Sequence, residues 1–335
     1  MKQQTASQRA KTAVERPGSL RRFWRWLPVQ VDARVRFLGW LSLVWQIILI
    51  GTGGAVRLTG SGLGCPTWPK CTAASIVNTP EMGIHGVIEF GNRMLTFALT
   101  IVVIAMFLAV IRLRKSRPDL FWLSFWIGMS IPAQAVLGGI TVLAKLNPYV
   151  VGAHFVVSIA LVVLTAALVV RIHARPGARR PAVPPWFAVT AWLLAAFVAI
   201  TVLLGILTTG SGPHPGNTGT SRNGLDTELM EHLHSLPAYV TAGLTLLLVG
   251  AALGMSVGAV RRYLFLLAGV VVVQIGVGLL QVNIGLPEWL VGIHMVLASL
   301  LVAATVAVVM NLTAPADDAE GEPAVAQPIS AGQPG

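Results

Sequence analysis

Carboxylates are scarce in this chain: 13 Asp and Glu stand against 24 Lys and Arg among 335 residues, and charged residues of every kind make up only 11%. So little charge over so long a chain excludes an ordinary soluble domain, whose composition is about a quarter charged. The basic surplus of +11 would point to nucleic acid if it were clustered on one domain. It is instead parcelled between apolar runs, so a nucleic-acid partner is excluded as well.

What fills the chain is apolar: 55% of residues are hydrophobic. Runs of the length that crosses a bilayer, about 20 residues, occupy 37–56, 84–110, 120–143, 149–170, 186–208, 229–256, 263–284 and 290–312. The expected fold is an all-α integral membrane protein of eight transmembrane helices, with membrane lipid as its surroundings. Basic residues mark the loops kept on the cytoplasmic side. With both termini inside, 19 of the 24 Lys and Arg fall there, and only Arg57, Lys70, Lys145 and Arg222 fall in the opposite loops. The segment 1–36 is then a basic cytoplasmic segment leading into a retained signal anchor. The segment 313–335, rich in Ala, Pro, Asp and Glu, is expected to be a disordered cytoplasmic tail.

The runs divide into two sets of four, 37–171 and 186–312, joined by a basic, proline-rich cytoplasmic linker at 172–185. The stretch QAVLGGITVLAKLNPYVVGAHFVV from Gln134 lies over QIGVGLLQVNIGLPEWLVGIHMVL from Gln274 at a constant offset of 140 without a gap. Gln, Gly and His recur in register while Leu, Ile and Val drift. That pattern reads as two copies of one site. RLTGSG from Arg57 likewise matches LTTGSG from Leu207, and Glu89 aligned with Glu231 sets Asn92 opposite His234. Four is even, so both halves keep one orientation. They are expected to be two four-helix bundles related by a pseudo-twofold axis along the membrane normal.

The repeat-related positions are His154, His294, His234 and Asn92. A lone membrane histidine often does no more than bond a backbone carbonyl, but duplication at fixed spacing favours a functional role. Facing histidines from two helices of a four-helix bundle supply both axial ligands of a haem, with Gly152 and Gly292 leaving room for the macrocycle. His232 and His234 are about 200° apart around one helix, so only one faces the bundle, and His234 is the one aligned with Asn92. His85 lies two turns farther out than Asn92 on the same face. His214 and His173, in loops, read as solvated.

Glu89 is the sole carboxylate inside the apolar runs of the first half, where an unpaired charge costs about 2.5–3.5 kcal/mol on insertion scales. Arg93, four residues on, neutralises it as a structural pair on one reading. On the other, Glu89 accepts a proton or stabilises positive charge beside a substrate. Cys65 and Cys71, separated by PTWPK, are the only cysteines. Their spacing is not the C-x-x-C-H of covalent haem attachment. A structural disulfide and a redox-active one both fit.

With these elements in place, the chain resembles the haem A synthase family over nearly all of its membrane part. The resemblance is carried by RLTGSGLGCPTWPKC, IEFGNR, GAH at His154, EHLHSLPAY at His234 and GIH at His294. It implies a haem b cofactor held through its iron by His234 and His294. It implies a haem O substrate site in the first half formed by His154, Asn92, His85 and Arg93, with iron contacted by His154 and Glu89 catalytic. It also implies oxidation of a haem O methyl group to a formyl group by successive hydroxylations, and a Cys65–Cys71 disulfide. Expected partners are haem O synthase and assembly factors of the terminal oxidase, together with an electron acceptor the sequence does not identify; a homo-oligomer is left open. The expected location is the cell membrane, with the haem sites toward the outer face. The chain departs from the family where Asn92 replaces a histidine, so the substrate iron takes its sixth ligand from water or His85, or has none. Two other readings stay open: a di-haem electron-transfer protein and a haem transporter.

Overall fold

The computed structural model describes residues 19–255 and 257–316. Among them are nine α-helices: α1 Ser19–Trp26, α2 Ala33–Leu58, α3 Gly83–Val110, α4 Pro118–Leu143, α5 Pro148–His173, α6 Pro185–Ser211, α7 Thr227–Leu253, α8 Gly258–Asn283 and α9 Glu288–Met310. Eight of these, α2 to α9, are long and apolar enough to cross a membrane. The chain is a multi-pass membrane protein of the all-α class.

Local chemistry sets the helix boundaries. Asp32 caps α2 by accepting from the backbone N–H groups of Arg34 and Val35 at 3.0 and 3.1 Å, which satisfies donors that a helix start leaves free. Burial alone would raise the Asp32 carboxyl, but the Val35 N–H and the Arg34 guanidinium outweigh it and hold the group below its ordinary range. Asn147 and Asp226 cap α5 and α7 in the same way. Helix α8 starts at Gly258, earlier than the apolar run at 263, because Arg261 and Arg262 near its start continue the helix beyond the apolar stretch.

The duplication reaches the backbone. Between α4 and α5, Lys145 and Leu146 both have positive φ, 53° and 58°; between α8 and α9, Gly285 and Leu286 have 84° and 57°. The closing bonds repeat too, Leu146 N–H to Thr141 O at 2.8 Å and Leu286 N–H to Gln281 O at 2.7 Å. Two successive left-handed residues are costly for non-glycine side chains, so this turn marks a shared fold of the two stretches.

Helices α2 to α5 form a closed ring of neighbours, as do α6 to α9, and α2, α5 and α9 pack between the rings. Close approach there uses small residues: a methyl on Gly54 would stand 3.1 Å from Met295 Sδ, and one on Gly51 3.0 Å from Val296. The tightest packing lies toward the end of the bundle where α3 meets α4 and α5 meets α6, around Leu113, Leu120, Leu168, Phe187, Leu264 and Val308. Packing is looser toward the opposite end, which carries the two cysteines. There α5 has no fully buried residue before Leu161, and α9 has none between Leu290 and Ser299.

At the tightly packed end, Arg112 ties α1 down by donating to the carbonyls of Trp24 and Leu27, both at 3.0 Å. Arg117 pairs with Asp119 at 2.9 Å, so a second first-half carboxylate lies in the opening turn of α4. The linker and tail differ from expectation. Arg179–Pro181 (β1) pairs antiparallel with Thr313–Pro315 (β2), and Arg179 donates to Thr313. The linker is therefore pinned, and the tail begins as a strand because its backbone groups find partners in β1. The remainder of the expected disordered tail, 317–335, and of the basic segment, 1–18, lies outside the described residues.

Candidate functional site

The second ring brings His234 of α7 and His294 of α9 together, with ring centroids 6.2 Å apart and planes at 77°. His234 Nδ1 bonds the Thr201 carbonyl at 2.9 Å, which fixes the proton on Nδ1 and leaves Nε2 with its lone pair. His232 is exposed and bonded to its own helix through the Glu228 carbonyl. Each inward ring rests on a glycine of the neighbouring helix. A methyl on Gly205 would stand 2.8 Å from His234 Cε1, and one on Gly278 3.1 Å from His294 Cε1.

The first ring repeats this geometry with one change. His154 lies over Gly138, 3.3 Å from the place of a methyl, as His294 lies over Gly278. Asn92 takes the position matching His234, and its Oδ1 accepts from Thr52 of α2 at 2.8 Å. In both rings, therefore, the residue at this place is tied to the preceding helix. Four buried polar atoms lack partners among the described residues at repeat-related positions: Gln134 Oε1, Gln274 Oε1, His154 Nδ1 and His294 Nδ1.

These features allow a test of whether a haem fits. Two metal–imidazole bonds of about 2 Å each, plus two half-rings, set centroids about 6 Å apart, in line with the His234–His294 spacing of 6.2 Å. The unpartnered atoms and the loose packing around the rings are what a site shaped for a polar-centred, largely apolar ligand leaves behind. The His234–His294 pair fits the group.

Near Asn92, Glu89 is buried at 6% exposure. Its Oε1 meets Arg93 at 2.6 Å and its Oε2 accepts the Cys65 N–H at 2.7 Å. Arg93 also donates to the carbonyls of Cys65 and Thr67, at 3.4 and 3.2 Å. Cys65 and Cys71 form a disulfide, and both are fully buried. Glu89 and Arg93 thus grip the cystine loop from α3. Trp68 in that loop packs on Gly139, the neighbour of the glycine under His154. His85 stands apart: it is exposed, with Nδ1 bonded to Ser61 Oγ at 2.9 Å.

Gly64 fits beneath the start of α3 because a methyl there would collide with the His85 backbone carbonyl. Backbone cannot yield as a side-chain tip can, so Gly64→Ala is expected to cost about 1–3 kcal/mol. The measurement is the thermal midpoint of the purified protein, which should fall; an unchanged midpoint would refute the close approach.

Sequence reading passed over several participants. Gln134 and Gln274 recur in the repeat, and each amide donates to the carbonyl of its histidine, at 3.4 and 3.2 Å. Their recurrence was the available signal. Thr52 and Thr201 carried none. His214 is not simply solvated: its Nε2 bonds the Leu286 carbonyl at 2.9 Å, and its own carbonyl accepts from Arg57 at 2.9 Å. Arg57 and His214 hold the two halves together at the cystine end.

Eight spanning helices, a cystine loop clamped by a buried carboxylate, and histidines at repeat-related places define a polytopic membrane protein with a duplicated histidine site. The profile of the family described as cytochrome oxidase assembly protein, COX15-CtaA, matches residues 36–306, and the chain belongs to that family. It is similar to the heme A synthase of Bacillus pumilus, 40% identical over 135 residues, covering 38% of this chain and 42% of that protein. It is also similar to the heme A synthase of Geobacillus thermodenitrificans, 26% identical over 155 residues, 46% of this chain and 47% of that one. The heme A synthase of Listeria monocytogenes is 27% identical over 171 residues, 50% and 56%. The chain spans about half the length of the curated relatives it matches.

Proposed function

We propose that this protein is a haem A synthase, oxidising a methyl group of haem O to a formyl group by successive hydroxylations and so supplying haem A to a terminal oxidase. The observation that carries the reading is the unequal duplication: one ring has the paired imidazoles of His234 and His294, and its twin has His154 at the place of His294 but Asn92 at the place of His234, three residues from a buried Glu89. His234 and His294 would hold haem b, whose iron supplies redox chemistry when bound. His154 would hold the substrate through its iron, and Asn92, a poor iron ligand, leaves that site exchangeable. Arg93 borders the substrate, and His85, exposed and bonded to Ser61 near the start of α3, stands outside that contact. Glu89 holds or accepts a proton next to the reacting methyl, its position fixed by Arg93 and the Cys65 N–H. The cystine loop covers this end and excludes water.

The same reading sets the cystine end toward the outer face and both termini in the cytoplasm, following the basic loops, and relates the two rings by a pseudo-twofold axis. Haem O synthase and oxidase assembly factors are the expected partners. Electron transfer across the membrane would need a haem near each face, whereas His154, His234 and His294 all stand at one end. A transporter built on broken helices would place them at matching sites, and the internal prolines Pro132 and Pro237 do not correspond between halves.

The test is expression with a haem O supply, followed by extraction and chromatography of haems. Haem A should accumulate. Haem O binding with no conversion, in cells competent to supply electrons and oxygen, would overturn the enzyme in favour of a carrier.

A further inference from the structure

The basic residues at the cystine end are not alike. Arg93 is paired with Glu89, and Lys70, Lys145 and Arg222 are exposed, but Arg57 is half-buried. It lies in the last turn of α2, where a cation ordinarily serves the carbonyls of its own helix end. Its guanidinium leaves them and crosses to the other half. Nε donates to the His214 carbonyl at 2.9 Å and Nη2 to the Thr209 carbonyl at 2.8 Å.

Those contacts set the guanidinium at the rim of the second ring. Thr209 follows Gly205, on which His234 rests, by four residues of α6. Its carbonyl therefore lies one turn, about 6 Å, nearer the cystine end and on nearly the same face. The next residue of α2, Leu58, meets Gly292 of α9, two residues before His294. Arg57 thus stands between the helix that seats His234 and the helix that bears His294.

The guanidinium is only partly used. It has five N–H groups, and the two that are bonded face neutral carbonyls. Among the described residues no carboxylate pairs with it, in contrast to Arg34, Arg93 and Arg117. Both Nη1 hydrogens and one on Nη2 remain, and that edge suits two parallel bonds to one carboxylate. The repeat sets Leu207 at the matching place, so this cation belongs to one copy of the site.

We infer that Arg57 binds a carboxylate of the ligand held between His234 and His294, which for a haem b is one of its two propionates. The inference rests on the proposed haem b site. It adds the residue that orients the macrocycle, with a propionate toward the cystine end. The bonds to His214 and Thr209 use other hydrogens of the guanidinium, so they persist in the loaded site. One side chain then joins the two halves and holds the anion.

The experiment uses the full chain reconstituted in parallel with haem b and with haem b dimethyl ester, whose propionates are methylated and neutral. Release is timed as loss of the low-spin spectrum on transfer to excess apomyoglobin, in the parent and in Arg57→Gln. Glutamine keeps an amide N–H for one of the two carbonyls but carries no charge. From the parent, the ester is expected to leave about tenfold faster than haem b, the low end for a lost charged hydrogen bond. From Arg57→Gln, haem b should leave about tenfold faster than from the parent, and esterification should add little, because the partner of the carboxylate is already gone. The same ratio of ester to haem b release in variant and parent would overturn the inference and leave Arg57 a clamp between the halves. Where Arg57→Gln does not fold, Arg57→Lys decides. Lysine keeps the charge and loses the fork, so the ratio must fall below the parent's, and an unchanged ratio refutes the pairing. A parent protein that forms no low-spin spectrum with haem b, or one whose spectrum survives His294→Ala, would overturn the haem b site and the inference with it.

Discussion

Glu89→Gln is expected to abolish haem O conversion while leaving the protein folded, whereas Glu89→Ala should lose both conversion and part of the stability. The two variants separate the roles that one carboxylate combines. Glutamine still offers an oxygen to the Cys65 N–H, so the cystine loop keeps its anchor, but it neither takes up a proton nor balances Arg93. Loss of a general base typically lowers a rate by about 100-fold to 10,000-fold. Alanine also leaves Arg93 without its countercharge and the Cys65 N–H without its acceptor, and breaking a buried pair in this way costs about 3–5 kcal/mol. The measurements are haem A formed per protein in cells supplied with haem O, and the thermal midpoint of each purified variant. Wild-type conversion by Glu89→Gln would reduce Glu89 to a clamp for the loop.

Much of this arrangement was legible in the chain before any coordinates. Apolar runs gave eight spans because a bilayer demands about 20 apolar residues per helix; boundaries slipped where a helix continues past the apolar stretch, as at Arg261 and Arg262, and where one stops inside it, as α7 does at Leu253 and α9 at Met310. Register in the repeat placed His154 and His294 in equivalent settings, and the matched left-handed turns at Lys145–Leu146 and Gly285–Leu286 show that the resemblance extends to the backbone. What stayed hidden is pairwise. Nothing in the composition of the linker says that Arg179–Pro181 will find Thr313–Pro315, and nothing local to Thr201 says that its carbonyl will orient His234. His214, between two prolines, reads as a loop residue until its bond to Leu286 is seen. Hydrogen bonds across long sequence separations depend on how helices pack, and periodicity does not encode that.

The unequal pair of sites leads to the second large effect. His234→Ala and His294→Ala should each remove the low-spin haem signal from the purified protein, because a six-coordinate iron held by two imidazoles cannot keep its spectrum with one. His154→Ala should leave that signal intact, since its ring belongs to the other set of helices. Asn92→His tests the same asymmetry from the opposite side. A second imidazole facing His154 would complete a pair like that of His234 and His294, and the retained haem should rise from one per chain toward about two. Conversion should fall in that variant, because a substrate site that gains a tight sixth ligand releases its haem slowly. Haem content by pyridine haemochrome, set against protein concentration, reads all four variants. Retention of a normal low-spin signal in both His234→Ala and His294→Ala would sink the cofactor site, and an Asn92→His protein with unchanged haem content would show that the first ring does not face its histidine toward position 92.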